Sequence, residues 1–291
     1  MSVKLTNLEK IYWPEEKITK GEMIEYYESV SRYILPYLKD RPLVLHRYPD
    51  GIKGFSFVQK DAGKDAPSFV KTALVAHKEK KVNYIVVQNV KTLLYVANLG
   101  SIELHPLNAS IPRIDFPDYM VFDLDPEAIS FKAVVETAQV LHEILEELKM
   151  PHFCKTSGAT GLHIFIPLDG KWNFVQTRQF AYQLASVARQ RLPQVISLER
   201  MPKNRQRRVY IDTQQNIRGA SMAAAYSLRA KPHGPVSTPL EWKEVNGKLD
   251  PLDFTIHTIR QRLARKGDLF KGVLGRGVNL QAYLKKLEKL S

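Results

Sequence analysis

The spacing of apolar and polar residues predicts a chain in which helices and strands are mixed. Apolar positions recur at helical spacing in four stretches, and short apolar runs bounded by Pro, Gly and polar residues indicate strands between them. A Thr19–Glu22 capping box precedes the first helix, which Pro36 disturbs or ends. The predicted helices cover residues 21–38, 92–100, 131–150 and 174–192. The predicted strands lie on either side of the turn 49–51 and within 101–107, 119–126, 162–167 and 209–212.

The strand at 119–126 carries the most informative pattern. Its sequence, YMVFDLDP, places Asp123 and Asp125 two residues apart at the end of an apolar run. Side chains two apart on a strand share a face, so both carboxylates project together. Two adjacent carboxylates repel each other, and oxygen ligands suit Mg²⁺ or Mn²⁺, so the pattern favours a metal site. In the alternatives, one Asp caps the next helix and the other is solvated, or the motif belongs to a haloacid-dehalogenase-type phosphatase.

Composition restricts the class of protein and its partners. The chain has 43 Lys and Arg against 30 Asp and Glu, a net charge of +13, which favours a polyanionic partner. Nucleic acid is the first candidate, and anionic lipid and the ribosome are the others. A single cysteine, Cys154, excludes an internal disulfide. The sequence shows no apolar run of membrane-spanning length and no signal region, which predicts a soluble, cytoplasmic protein without a membrane partner.

Two further segments carry candidate chemistry. The small-residue turn Ser157–Gly161 precedes a strand that carries His163, and backbone amides of such a turn can approach phosphate. A basic run that includes Arg205 leads into the strand VYID, which delivers a third carboxylate, Asp212. A solvated loop is the alternative for the basic run, but the neighbouring carboxylate favours an anion site.

Four motifs in this order, VFDLDP, TSGATGLHI, RVYIDTQQN and AYSLRAKP, resemble the polymerase domain of bacterial and archaeal DNA ligase D, in the archaeo-eukaryotic primase superfamily. The resemblance implies an α+β fold of the archaeo-eukaryotic primase type. An RRM-like antiparallel palm would be packed with an N-terminal α/β subdomain. We expect a single catalytic domain over 1–291, with the α/β part at about 1–110, the palm at about 111–235 and a C-terminal helical cover at about 236–291.

The same resemblance implies an activity. It is that of a template-directed nucleotidyltransferase, a DNA-directed polymerase and primase that fills gaps and extends ends in non-homologous end joining and prefers ribonucleotides. The reaction is attack of a primer 3′-OH on an NTP or dNTP with two Mn²⁺ (or Mg²⁺) ions. The implied partners are broken or gapped DNA with a 5′-phosphate, Ku and a separate ATP-dependent DNA ligase, in the cytoplasm at the nucleoid. Whether the chain acts alone or as a domain of a ligase stays open.

The resemblance also assigns roles to individual residues. Asp123, Asp125 and Asp212 are the implied catalytic metal ligands. Those implied to bind the nucleotide are Ser157, His163, Arg205, Arg229 and His105. Lys10 and Lys20, which from the sequence alone are ordinary solvated lysines, match a pair that grips a DNA 5′-phosphate, and Arg47 and Lys60 are additional nucleic-acid candidates.

Three positions depart from the family pattern. Thr160 stands where the family usually has Lys, which makes Lys155 a candidate for the missing phosphate contact. Thr213 replaces an aromatic residue, and Ala225 stands before Tyr226 where Pro is frequent. Two other functions remain as alternatives, a non-catalytic basic module that binds DNA ends and, with less support, a metal-dependent phosphatase.

Overall fold

The structure, a computed structural model, describes residues 3–290, and it divides into two compact units. Unit 1 contains the chain up to Pro112 together with Ser221–Thr238 and Leu252–Asp268. Unit 2 contains Arg113–Ala220, Pro239–Pro251 and the chain from Leu269 onward. The first boundary lies near the predicted position of 110. Beyond it, the chain returns to each unit, so the units are not the consecutive parts expected at about 111–235 and 236–291.

Unit 1 is built on a five-stranded antiparallel sheet and a two-stranded ribbon. Strand β3 is central, pairing with β4, β6 and β7, and β5 pairs with β6. The ribbon consists of β1 (Ile11–Trp13) and β2 (Ile18–Thr19). The sheet strands are β3 (Pro42–Arg47), β4 (Phe57–Gln59), β5 (Lys71–Ala76), β6 (Lys81–Val86) and β7 (Ser101–Pro106). The helices are α1 (Lys20–Ser29), α2 (Ser31–Leu38), α3 (Val90–Asn98) and α6 (Ile259–Lys266).

The predicted first helix is in fact two helices. The capping box between Thr19 and Glu22 is present, but α1 ends at Ser29 and α2 begins at Ser31. The Ser29 hydroxyl donates to the Tyr26 carbonyl at 2.7 Å, a local bond that competes with helix continuation, and Pro36 lies inside α2, two residues before its end. The predicted apolar stripe is buried despite the break. Its members are Met23, Tyr26, Tyr27, Val30 and Ile34.

Unit 2 has a six-stranded sheet in the order β11-β12-β8-β10-β9-β13. Its central part runs β8-α4-β9-β10-α5-β12, which is the split βαβ arrangement of RRM-like folds and confirms the predicted α+β palm. The strands are β8 (Tyr119–Pro126), β9 (Phe153–Thr156), β10 (Leu162–Pro167), β11 (Ile196–Ser197), β12 (Val209–Asp212) and β13 (Pro239–Leu240). The helices are α4 (Phe131–Glu147), α5 (Phe174–Arg191) and α7 (Gln281–Glu288).

The core of unit 2 lies between one face of this sheet and the helices α4 and α5. Phe122 and Leu124 of β8 are fully buried on that face, as are Leu141 of α4 and Leu184 of α5. Burial of each such side chain contributes about 1.5–3 kcal/mol relative to exposure. Because strand side chains alternate, this packing commits the intervening residues of β8 to the opposite face.

Asn216 extends the pairing of β8 beyond the end of β12. Its Oδ1 accepts from the Val121 amide at 2.8 Å, and its Nδ2 donates to the Val121 carbonyl at 2.7 Å and to the Thr213 carbonyl at 3.0 Å. Strand β12 stops at Asp212, so this side chain satisfies the two backbone groups that a longer strand would have paired. The sequence pattern of the segment TQQN did not predict this contact.

Among the helices of residues 3–290, none combines the length and apolar character required to cross a lipid bilayer.

Replacing Asn216 by Ala is expected to lower the free energy of unfolding by about 2–4 kcal/mol, because it leaves the buried amide and carbonyl of Val121 without partners. Chemical denaturation measures the loss. Gln183→Ala, at an exposed position of α5, is the control and should change stability by less than about 0.5 kcal/mol. An Asn216→Ala value as small as the control's would contradict this role.

Candidate functional site

The three predicted metal ligands meet on one face of the unit 2 sheet. Asp123 lies on β8 opposite His163 of β10 on one side and opposite Asp212 of β12 on the other. Asp125, two residues further along β8, projects from the same face and lies opposite Tyr210. Directly opposed residues in an antiparallel pair have Cβ atoms about 4.5–5.5 Å apart. We call Asp123, Asp125 and Asp212 the carboxylate row.

Hydrogen bonds fix the orientation of Asp212. Its Oδ1 accepts from the Gln214 amide at 2.7 Å and from the Tyr210 hydroxyl at 3.1 Å, and its Oδ2 accepts from Gln215 Nε2 at 3.3 Å. Burial, with the neighbouring Asp123 charge as a further cause, raises the pKa of Asp212 above its ordinary value despite these donors. The carboxylate row therefore carries an electrostatic conflict that a bound cation would relieve. An all-oxygen donor set of this kind fits Mg²⁺ or Mn²⁺.

His163 connects Asp123 to a buried lysine. Its Nε2 lies 3.2 Å from Asp123 Oδ1, and its Nδ1 lies 2.8 Å from the Nζ atom of Lys155. An ammonium group can only donate, so Nδ1 accepts and the ring hydrogen is on Nε2, the nitrogen that lies nearer the carboxylate. Lys155, which the sequence offered as a substitute phosphate ligand, is fully buried and contacts His163 instead.

The turn before β10 is closed by its own side chain. Ser157 Oγ accepts from the amides of Ala159 and Gly161, both at 3.0 Å, so these two amides are directed into the turn. Gly161 is required here, because a Cβ atom would lie 2.5 Å from the carbonyl oxygen of Leu124. The absence of a side chain thus allows the turn to pack directly against β8 next to Asp125.

Arg205 lies beside the carboxylate row. Its guanidinium carbon is 4.1 Å from the centre of the Tyr210 ring, and its Nη1 is 3.2 Å from Glu127 Oε2. Tyr210 donates in turn to Asp212. The sequence had not singled out Tyr210, although it precedes Asp212 by two residues on the same strand and so shares its face.

In unit 1, a buried carboxylate that the sequence had not singled out contacts two predicted site residues. Glu103 Oε2 lies 3.0 Å from His105 Nε2 and 3.1 Å from Arg229 Nε, and Glu103 Oε1 accepts from the Ala230 amide at 3.0 Å. His46, opposite Glu103 on β3, stacks on the His105 ring with centroids 4.1 Å apart. The sequence feature that could have identified Glu103 is its E-x-H spacing with His105, which puts both side chains on one face of the strand.

These contacts determine the charge states of Glu103 and His105. Burial acts to raise the pKa of Glu103, but the His105 hydrogen bond and the Arg229 charge outweigh it and hold that pKa well below its ordinary value. Burial lowers the pKa of His105 to about 4, against the opposing effect of Glu103. His105 is therefore neutral near pH 7, with its hydrogen on Nε2 toward Glu103 and its Nδ1 left as an acceptor.

The two predicted 5′-phosphate lysines are joined through their backbones. The Lys20 amide donates to the Lys10 carbonyl at 2.8 Å, which brings both residues to the start of α1. Lys10 Nζ contacts Asp50, and Lys20 Nζ donates to the Thr6 carbonyl at 2.8 Å. Burial, with the neighbouring Lys10 charge, lowers the pKa of Lys20. A bound anion would stabilise the charged form of such a lysine, because opposite charges nearby favour ionisation.

The remaining nucleic-acid candidates differ in their surroundings. Arg47 donates to Gln59 Oε1 and lies 5.0 Å from the centre of the Phe57 ring, whereas Lys60 is exposed. Phe57 stacks on Phe55, which is 71% exposed, with ring centroids 5.7 Å apart. Exposed stacked rings beside an arginine are a platform of the kind that binds unpaired bases, and the sequence had not identified it.

The pKa of His105 predicts a pH dependence of stability. The folded-state value of about 4 lies below the unfolded value of 6.5, so on acidification the unfolded chain takes up the proton first. The free energy of unfolding should fall by up to about 3 kcal/mol from this residue as pH decreases from 6.5 to 4. Denaturation measures the free energy of unfolding at each pH. Its dependence on pH across this window should be less steep for His105→Gln than for the exposed control His257→Gln. Equal slopes would exclude the assignment.

Comparison with known proteins gives a consistent result. A family model described as the LigD primase-polymerase domain matches residues 19–270. The chain is 34% identical over 267 residues to a bifunctional non-homologous end joining protein LigD of Bacillus subtilis, covering 91% of this chain and 43% of the relative. It is 31% identical over 263 residues to a multifunctional LigD of Pseudomonas aeruginosa, covering 90% of this chain and 31% of the relative. The chain therefore spans less than half the length of these relatives.

A solved structure shares the fold. The polymerase domain from Mycobacterium tuberculosis Ligase D, in complex with DNA, superposes with a TM-score of 0.88 at 27% identity, covering 95% of this chain and 99% of that chain. Together with the family match over 19–270, this establishes that the chain belongs to the LigD primase-polymerase domain family.

Proposed function

We propose that this chain is a template-directed nucleotidyltransferase that adds nucleotides to a primer 3′-OH at broken or gapped DNA. The observation that carries the proposal is the carboxylate row. Two carboxylates of β8 and a third from β12, which is distant in sequence, project from one sheet face beside His163 and Arg205. A DNA-binding module needs positive charge, but it does not need a partly buried set of mutually repelling acids.

Asp123, Asp125 and Asp212 hold two divalent cations, Mn²⁺ or Mg²⁺, in this proposal. When bound, such ions lower the pKa of the primer hydroxyl and neutralise charge on the triphosphate and the leaving pyrophosphate. The contribution of the protein is positional. Gln214 and Tyr210 hold the Asp212 carboxylate by hydrogen bonds, so this ligand needs little reorganisation when the substrates arrive.

His163 and Arg205 bind the triphosphate. His163 has its Nδ1 occupied by Lys155, so Nε2–H is the donor that can turn from Asp123 to a phosphate oxygen. Arg205 offers a forked guanidinium, which suits phosphate oxygens, and its packing on Tyr210 limits its movement. Ser157 acts through the turn it closes. Catalysis of this kind depends on alignment and charge stabilisation.

In unit 1, Glu103 is a positioning residue for His105 and Arg229. It fixes the His105 tautomer, leaving Nδ1 to accept a hydrogen bond from a sugar hydroxyl. A ribonucleotide offers one hydroxyl more than a deoxyribonucleotide, so this acceptor supports a preference for ribonucleotides. A deoxyribonucleotide would leave His105 Nδ1 without a hydrogen-bond donor, and an unpaired polar group in a site is a strong source of discrimination between substrates. Removing Nδ1 should therefore reduce the preference for ribonucleotides over deoxyribonucleotides.

DNA binding rests on the phosphate backbone and on stacking. Lys10 and Lys20 hold the 5′-phosphate of the downstream strand, while Arg47, Lys60 and the Phe55–Phe57 stack contact the strand itself. The net charge of +13 predicts that affinity falls steeply as the salt concentration rises. The relatives named for non-homologous end joining support that pathway as the setting. Ku and an ATP-dependent ligase are the partners that the sequence resemblance implies, and they are part of this proposal.

The decisive test is primer extension on gapped DNA with Mn²⁺, comparing NTP with dNTP. Asp123→Asn and Asp212→Asn should each reduce the rate at least about 10²–10³-fold, because each removes a charge required in the transition state. Asp115→Asn, an exposed carboxylate of unit 2, is the control and should extend like the wild type. A wild-type chain that binds DNA ends but adds no nucleotide would support the binding-module alternative. Release of phosphate from monoesters would support a phosphatase.

The 5′-phosphate assignment has its own test. Substituting Lys10 and Lys20 by Gln should remove the preference for 5′-phosphorylated over unphosphorylated gaps, with roughly tenfold or more lost per lysine on phosphorylated DNA. Binding to the two gapped DNAs measures this ratio. Lys39→Gln, an exposed lysine that follows α2, should leave it unchanged. If the double variant keeps the wild-type ratio, the lysines do not read the phosphate.

A further inference from the structure

The end of α4 brings two histidines and a glutamate together. His142 and Glu146 are four residues apart and therefore share a helix face. The helix then ends in a Schellman motif, in which the Lys149 amide donates to the Glu146 carbonyl and the Met150 amide donates to the Leu145 carbonyl, both at 2.9 Å. Lys149 adopts a left-handed conformation with φ of 56°, so the chain turns back and His152 lies beside His142.

The histidine nitrogens already face one another. His152 Nδ1 lies 2.7 Å from the Met150 carbonyl oxygen, which can only accept, so Nδ1 carries the hydrogen and Nε2 has the lone pair. That Nε2 lies 2.7 Å from His142 Nδ1 and 3.9 Å from Glu146 Oε1. A carbonyl that holds the second nitrogen of an imidazole is the usual outer partner of a metal-binding histidine.

Trp242 holds the pair in place. Its ring stacks on the His142 ring with centroids 4.1 Å apart and planes 5° apart, and its Nε1 donates to the His152 carbonyl at 3.3 Å. His152 is 8% exposed, while Glu146 is exposed at the edge. The cluster is thus rigid on its inner side and open on its outer side, where an ion would enter.

We propose that His142, Glu146 and His152 form a binding site for a transition-metal ion of the zinc class. One ligand atom from each residue lies within 4.8 Å of the other two. Two imidazoles with one carboxylate suit Zn²⁺, Ni²⁺ or Cu²⁺ better than Mg²⁺ or Mn²⁺, which prefer oxygen. At metal–nitrogen distances of about 2.0–2.1 Å, tetrahedral ligands lie about 3.3–3.4 Å apart, so the histidines need to separate only slightly.

Metal binding here requires no net change of charge on the imidazoles. Both lone pairs, Nδ1 of His142 and Nε2 of His152, go to the ion, and the hydrogen on His142 Nδ1 moves to Nε2 of the same ring. Three protein ligands leave a fourth position for water. The ion would link α4 to the segment that carries His152 and so stabilise unit 2.

The site is separate from the carboxylate row. Helix α4 packs on the apolar face of the unit 2 sheet, whereas Asp123, Asp125 and Asp212 project from the opposite face. The two sites also differ in donor chemistry, one containing two imidazoles and the other only carboxylates. Binding at one is therefore measurable with the other removed.

The experiment uses untagged, chelator-treated protein carrying Asp123→Asn and Asp212→Asn, so that the carboxylate row does not contribute. Competition with a chromophoric chelator should show bound Zn²⁺. Because His46, Glu103 and His105 of unit 1 offer the same donor types, variants at His142 and Glu146 assign the ion to this cluster. Adding His142→Ala or Glu146→Gln should weaken binding at least about tenfold. Glu136→Gln, on the same helix outside the cluster, and His257→Ala, an exposed histidine, are matched controls that should bind like the parent.

A local readout identifies the place of binding. Cu²⁺ should quench the fluorescence of Trp242 through the stacked His142 ring, and Trp242→Phe should remove that quenching. Zn²⁺ should raise the melting temperature of the parent but not of the His142→Ala protein, because binding to the folded state stabilises it. Unchanged affinity in both His142→Ala and Glu146→Gln, or quenching that persists in Trp242→Phe, would overturn the proposal.

Discussion

The arrangement of the site depends on one constraint, the register of β8 between β10 and β12. Alternation along a strand gives each residue only one of two faces, and Phe122 and Leu124 are committed to the core beneath α4 and α5. Asp123 and Asp125 must therefore project from the other face. A shift of one residue would bury both carboxylates among apolar side chains, which is far more costly than any local adjustment. The apolar core of unit 2 thus fixes where its acidic residues lie.

Each unit combines a buried carboxylate with an imidazole and a cation, in two different arrangements. In unit 2, His163 lies between Asp123 and Lys155. In unit 1, Glu103 contacts both His105 and Arg229. The imidazole in each case has one nitrogen fixed by a strong partner, which determines the tautomer and the direction of its remaining hydrogen bond. The orientation of these imidazoles is thus set when the protein folds, which reduces the reorganisation that binding of a ligand would require.

Much of this arrangement follows from the sequence, and the remainder depends on contacts between distant segments. The strand that carries Asp123 and Asp125, the helices α4 and α5 and the Thr19–Glu22 cap are local patterns, and the structure contains each of them. The contacts of Asn216 with β8 and of Trp242 with the histidine pair were not predictable, since no periodicity links residues about 90–100 positions apart. The break at Val30 was missed because the apolar stripe continues through it.

Direct counting of Mn²⁺ ions bound to the protein in the presence of a nucleoside triphosphate, by electron paramagnetic resonance, addresses the carboxylate row itself. Mn²⁺ prefers oxygen ligands, so it reports on these residues and not on the histidine cluster. The wild-type chain should bind two ions, and Asp123→Asn, Asp125→Asn and Asp212→Asn should each lose at least one. Equal numbers of ions, bound with equal affinity, in the wild type and all three variants would contradict the central claim that these carboxylates hold the metal.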